Sequence, residues 1–231
     1  LDDEPIAFPA IALIASGRHT SVHRQEDTLN AELLGSTIDD AVGEAFDKAA
    51  VLLEAGYPGG PAIERLAAEG DDRAIDLPVT RLRGERFGFS FAGLKTALLY
   101  AARGHPVGRG RASRFPREVA DLEPKARADL AASFQRAAVD ALLLGVEDVM
   151  QGDSVTSLCG GGGVLANTLL RAKLSTCAAQ HHATLRIPPM RYCIDNAAMI
   201  AGLGAYMLER GQTTSLDLQA VARLPIGAGS T

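Results

Sequence analysis

After Pro5 the chain is apolar from Ile6 to Ala15 and breaks at Ser16-Gly17, a short run bounded by turn chemistry that predicts a buried strand feeding a loop. The period then changes. Ile38, Val42, Ala45, Ala49 and Leu52 recur at helical spacing, Ser36 or Thr37 can cap the start and Gly56 can end it in the left-handed conformation, so a helix is predicted over 38–55. Tyr57-Pro58-Gly59-Gly60-Pro61 reads as a rigid turn, with Pro61 opening a shorter helix through Ile63, Leu66 and Ala67. Residues 71–88 are polar and loop-like, and Phe87, Phe89 and Phe91 alternate as in a short strand. A long helix is predicted over 124–150, with Leu130, Phe134, Ala138, Ala141 and Leu142 on one side. Val155–Cys159 reads as a strand, Gly160–Gly163 as a tight turn and 164–179 as a helix. A last strand follows over 184–187 and a last helix over 196–210, with Asp195 as its candidate N-cap. Strands alternating with helices through glycine-rich turns indicate an α/β fold, without internal repeats.

Composition narrows the function classes. At 231 residues, 47% apolar and 22% charged, the chain has the make-up of a water-soluble globular protein with one large domain or two small ones. Its apolar runs fall far short of the roughly 20 residues of a membrane span, and no basic leader precedes them. The three cysteines (Cys159, Cys177, Cys193) form no C-x-x-C pair, which suggests neither a disulfide framework nor a cysteine zinc site and points to a reducing, cytoplasmic setting. A net charge of −5 argues against a wholly basic nucleic-acid surface. A local one remains open: Arg103 to Arg117 holds five arginines with glycines and prolines and no period.

The candidate chemistry lies in a few segments. The glycines of Cys159–Asn167 fall between a strand and a helix, where backbone N–H groups can receive an anion; a turn needed only for helix–sheet packing is the alternative. Asp40, Glu44 and Asp47 fall on one helical face, suited to a metal or to sugar hydroxyls, or to a solvated face with Glu44 paired to Lys48. Ser16-Gly17-Arg18-His19-Thr20 is a strand-end loop rich in donors. His181-His182 is expected at an exposed helix end, and a self-contained histidine metal site is not expected.

In order, six segments resemble one family. They are Ser16-Gly17-x-His19-Thr20, Gly35–Lys48, Tyr57–Pro61, Phe89–Thr96, Gly162-Gly163-Val164-x-Ala166-Asn167 and Cys193-x-Asp195–Ala201, and from Phe8 to Leu208 they closely resemble the tRNA threonylcarbamoyladenosine transferases, TsaD in bacteria, formerly called glycoproteases. The resemblance implies an actin-like, sugar-kinase-like (ASKHA) fold of two α/β lobes with a nucleotide cleft between them. Residues 1–35 would be the remainder of an N-terminal lobe, 36–190 the second lobe and 191–231 a segment returning to the first. It implies transfer of a threonylcarbamoyl group from threonylcarbamoyl-AMP to N6 of the adenosine 3′ of the anticodon in tRNAs reading codons that begin with A. The loop Ile14, Ala15, Ser16, Gly17 and Arg18, together with Gly60, would contact the acyl-adenylate; Asp47 would take its ribose hydroxyls and Asn167 would touch it after the glycine turn. Asp195 would be one ligand of an iron or zinc ion. No residue is singled out as catalytic base. The implied partners are tRNA, a degenerate paralogue and a P-loop ATPase, in the cytoplasm and away from membranes.

Three departures qualify the resemblance, of which Leu165, where alanine is common, is a permitted variation. Arg18 stands where the family usually has glycine. The family's N-terminal histidine pair, which supplies the other metal ligands, is not matched, so a beginning is expected to be missing and this chain alone is expected not to carry out the transfer. A carbamoyltransferase acting on a small molecule or a cysteine, and a noncatalytic scaffold paralogue, are the alternatives. Peptidase chemistry has no nucleophile, base and orienter set here.

Overall fold

The computed structural model describes residues 5–80, 87–108, 113–151, 154–217 and 219. Three consecutive strands, β1 (Ala10–Ala15), β2 (Thr20–Gln25) and β3 (Ala31–Thr37), form an antiparallel meander. Three more add in parallel: β4 (Phe87–Phe89) beside β3, β5 (Ser157–Gly161) beside β1, and β6 (Thr184–Arg186) outside β5, giving the order β4-β3-β2-β1-β5-β6. With α1 (Val42–Leu52), α2 (Gly59–Ala67), α3 (Ala92–Arg103), α4 (Pro124–Met150), α5 (Thr168–Gln180) and α6 (Ala197–Glu209), the α/β class stands. The expected lobe boundary at residue 35 falls inside β3, and strands from both sides of it pair in one sheet.

One face of the sheet is held by apolar side chains. Ile11, Leu13 and Ala15 of β1, Val22 of β2 and Leu158 of β5 are buried in one cluster with Phe46 of α1 and Phe134 and Leu142 of α4. Phe46 and Phe134 meet edge to face at 5.4 Å, the geometry in which the positive rim of one ring meets the negative face of the other. Cutting Phe134 to alanine would cost about 3–5 kcal/mol. The helix predicted over 124–150 has those bounds, with Pro124 at its first position, where no N–H is needed.

Elsewhere the boundaries move for identifiable reasons. α1 begins four residues later than Ile38. The Thr37 hydroxyl donates to the carbonyl of Asp40 at 2.7 Å, and Ile38, 71% exposed, donates its N–H to Phe89. The stretch therefore turns beside β4 instead of starting a helix. At the other end Glu54 already takes φ 53° before Gly56 does so at 98°, and the helix stops at Leu52. α2 starts at Gly59, ahead of Pro61. The helix expected from 164 divides into a 3-10 turn (Gly163–Ala166) and α5. Asn196, not Asp195, caps α6, its Oδ1 accepting from the Met199 N–H at 3.1 Å. Strands β2 and β3 and helix α3 were not expected from the hydrophobic pattern.

Candidate functional site

β1 ends in a tight loop. The Ser16 hydroxyl oxygen accepts from the N–H groups of His19 (3.0 Å) and Arg18 (3.3 Å), leaving Gly17 and Arg18 exposed at the tip. The start of α1 sits directly on this loop. Gly43 donates to the Ser16 carbonyl at 3.1 Å, and a Cβ on it would lie 2.6 Å from that oxygen and 2.8 Å from Gly17 Cα, so only glycine fits. The N-terminus of α1 is satisfied from another strand: buried Thr20 Oγ1 accepts from the Val42 N–H at 2.8 Å.

Asp47, one turn further along α1, accepts from the Gly59 N–H at 2.9 Å with Oδ1, a carboxylate set at the positive end of α2. Gly59 again has no room for a side chain, since its Cβ would come 2.4 Å from Asp47 Cα. On the opposite side β5 runs into Gly162, whose φ of 99° demands glycine, as does the Ala15 carbonyl oxygen, which would lie 2.3 Å from a Cβ placed there. The turn ends at Asn167, 6% exposed, which caps α5 by accepting from the Leu170 N–H at 3.0 Å and donates to Gln135 Oε1 at 2.9 Å.

Between these two sides lies an open cavity of about 430 Å³. Gly17, Asp47, Gly60 and Asn167, from four separate segments, line it together with Phe46 and Tyr57. The remaining expected residues are arranged around them. Ile14 and Ala15 lie in β1 behind the loop, Ser16 shapes it, and Arg18 projects from it into solvent. Asp195 is exposed and does not line the cavity, whereas its neighbour Ile194 does. Glu64 also lines the cavity and was missed by the sequence reading. It reaches across from α2 to accept from the Thr168 N–H (2.8 Å) and hydroxyl (2.5 Å). Its signal was its place one helical turn after Gly60.

The carboxylate face does not act as a unit. Asp40 precedes α1 and pairs with Lys48 (2.7 Å) and Lys95 (3.0 Å), while Glu44 pairs with Lys48 at 2.7 Å as the solvated-face alternative has it. Burial opposes the charge of Asp40, but the hydrogen bonds from the two lysines outweigh it and hold the carboxyl below its usual range. Lys48 is raised in turn. Asp47 alone of the three faces the cavity. The three cysteines are free, and burial pushes the thiols of Cys159 and Cys177 up to about 11, far from a ready nucleophile.

One histidine pair escapes the sequence reading. His19 and His23 have the H-x-x-x-H spacing, which on a helix brings two imidazoles to one metal. Here the stretch between them is strand, so their Cα atoms stand roughly 13 Å apart. His23 is buried and bonded to Ser21 Oγ at 2.9 Å. Among the described residues no three His, Cys, Asp or Glu are grouped to hold a metal, and exposed Asp195 by itself does not fit one. No helix among the described residues is long and apolar enough to cross a membrane.

In the arginine-rich loop, Arg109 and Arg111 lie outside the described residues. Arg103 is paired with Glu118 at 2.6 Å and lies over the Phe115 ring, and Arg117 donates to the Ala101 carbonyl. Arg114 exchanges both backbone hydrogen bonds with Val107.

The family model for tRNA N6-adenosine threonylcarbamoyltransferase matches residues 1–202. Enzymes of that name from Gloeobacter violaceus and Paracidovorax citrulli are 45% and 43% identical over 99% and 92% of this chain. One from Symbiobacterium thermophilum is 40% identical over 99% of it. The chain belongs to this family. It spans 57–63% of the length of these relatives. The cavity thus gathers positions from five of the six segments that carried the family resemblance, Ile194 being the contribution of the Cys193–Ala201 segment, while the Phe89–Thr96 segment packs against Asp39 and Asp40.

Proposed function

We propose that the cavity binds the adenylate of threonylcarbamoyl-AMP and that the protein to which these residues belong transfers its threonylcarbamoyl group to N6 of the adenosine 3′ of the anticodon. The observation carrying this reading is the convergence of Gly17, Asp47, Gly60 and Asn167 on one cavity in a chain of this family. A volume of about 430 Å³ falls in the range of small-molecule sites. Asp47 offers Oδ2 to the ribose hydroxyls while Oδ1 is fixed by Gly59. The loop at Ser16-Gly17 offers close backbone approach, and Asn167 presents an amide already oriented by its own helix. The mixed anhydride is an activated acyl donor, so orientation toward the acceptor amine and stabilisation of the acyl oxygens suffice, without a covalent nucleophile. An iron or zinc ion with Asp195 as one ligand belongs to the same proposal. Its other ligands are not among the described residues, and no step is routed through it.

The acceptor tRNA is assigned to the Arg103–Arg117 loop, the degenerate paralogue and P-loop ATPase are assigned as partners, and the setting is cytoplasmic. Calorimetric titration with threonylcarbamoyl-AMP tests the core of the reading: binding by the wild-type chain, reduced at least tenfold by Asp47→Ala, supports it, and equal affinity of the two overturns it. For tRNA, replacing Arg109, Arg111 and Arg114 with alanine is expected to weaken binding and flatten its dependence on salt, and an unchanged slope would remove the loop from the assignment.

A further inference from the structure

Two segments distant in sequence border the same side of the cavity. One is the turn after Gly162, through Gly163, Val164, Ala166 and Asn167; the other is the stretch 188–196, which contributes Ile194. The second has little regular structure of its own. It contains a single 3-10 turn (Met190–Tyr192), its Ile194 carbonyl accepts from Asn196 Nδ2 at 3.0 Å, and the helix that follows, α6, buries none of its residues.

Arg171 joins the two. It stands one turn into α5, where its N–H donates to the carbonyl of Asn167 at 3.1 Å. Its Nε donates to the Leu165 carbonyl at 2.5 Å, inside the glycine turn. Its Nη2 donates to the Pro188 carbonyl at 2.8 Å and to Cys193 Sγ at 3.0 Å, one on each side of the Met190–Tyr192 turn. A guanidinium holds its N–H groups in one rigid plane, so the separation of the acceptors is set by the group and not by the preferences of either loop. The sulfur seat is closed to water, since Cys193 is 3% exposed. Immediately beyond it, Ile194 Cγ2 lies 3.8 Å from where a Cβ of Gly163 would stand, which places the two segments side by side where the clamp fixes them.

We propose that Arg171 is a positioning residue of the nucleotide cavity, fixing Ile194 against the glycine turn that ends at Asn167 and so setting the width of that side. For its ligand the inference rests on the adenylate reading above; the clamp itself does not. Glutamine in its place lacks the fork, and lysine keeps the charge but offers a single nitrogen to acceptors on two segments.

The test uses this chain with AMP as the probe. In Arg171→Gln, amide hydrogen exchange over 189–196 is expected to rise about tenfold while α4 stays unchanged, and AMP affinity to fall about tenfold; Arg171→Lys lies between and serves if the glutamine variant fails to fold. Ile194→Ala weakens AMP in the wild type and adds nothing in Arg171→Gln, a non-additivity that general destabilisation does not produce. Unchanged exchange over 189–196 overturns the clamp. Faster exchange with unchanged AMP affinity, where Asp47→Ala weakens it, overturns the positioning role, as does strict additivity with Ile194→Ala. Failure of the wild type to bind AMP overturns the adenylate reading, and with it the ligand role of Arg171, and is told apart by leaving the exchange result standing.

Discussion

The two sides of the cavity are built by different means. The side formed by the Ser16-Gly17 loop, α1 and α2 is held by backbone packed on backbone: Gly43 against Ser16 and Gly17, and Gly59 against Asp47, at distances that admit no side chain. The side formed by the Gly162–Asn167 turn and the 188–196 stretch is tied by side chains, namely Asn167 to Leu170 and Gln135, Glu64 to Thr168, and Arg171 to three acceptors. Gly162, folded onto the Ala15 carbonyl, is where the second side borrows the method of the first. The first side is therefore rigid and broken by adding atoms. The second is adjustable and broken by removing them.

This contrast sets an order of effects. Gly43→Ala forces a methyl into backbone atoms that cannot give way, and a loss of about 2–3 kcal/mol in urea unfolding is expected; a loss below half that would show that α1 can lift off the loop. Asn167→Ala on the other side removes a cap and leaves Gln135 without that partner. About 1–2 kcal/mol is expected, with weaker AMP binding, and a neutral result would deny that side chains hold this side. Arg18→Gly removes a cation from the loop tip without touching either side. AMP affinity is expected to fall about threefold and to depend less on salt, whereas tighter binding would mean that Arg18 crowds the ligand.

The smallest effect comes from the sheet behind both sides. Burial holds the His23 imidazole below its usual 6.5, so the unfolded chain binds this proton more readily than the folded one. Its contribution is complete above pH 6.5 and is lost as pH falls through the lower folded value. His23→Gln should flatten stability against pH in that window, measured as urea midpoints, and a curve unchanged by the substitution would assign the dependence to other groups.

What could be read in the sequence follows from what each element depends on. α4 carries its own period and its own Pro start, so its ends were legible. β2 could not be read: Thr-Ser-Val-His-Arg-Gln has one large aliphatic residue, and it is a strand because β1 and β3 pair with it on both sides. The start of α1 was misread because Ile38 fits the helical period while the side chains of Thr37, Asp39 and Asp40 bind the β4–α3 corner, a contact local pattern does not encode. At the site, Gly17, Asp47, Gly60 and Asn167 became candidates through ordered motifs, and spacing alone left bland alternatives open to Asp47 and to the glycine turn. Glu64 and Arg171 needed the packing of α2 and α5 to show what they reach.

The cap that Thr20 supplies to α1 bears on how the molecule opens and closes. An ordinary cap is local and forms with its helix, but the partner of the Val42 N–H lies 22 residues back, in the strand at the centre of the meander. The first turn of α1 is thus completed only when β2 is in place, and the loop that Gly43 rests on is complete only when α1 is docked. Helix, loop and strand should lose their amide protection together, as one cooperative unit, and the cavity should be present or absent as a whole on that side.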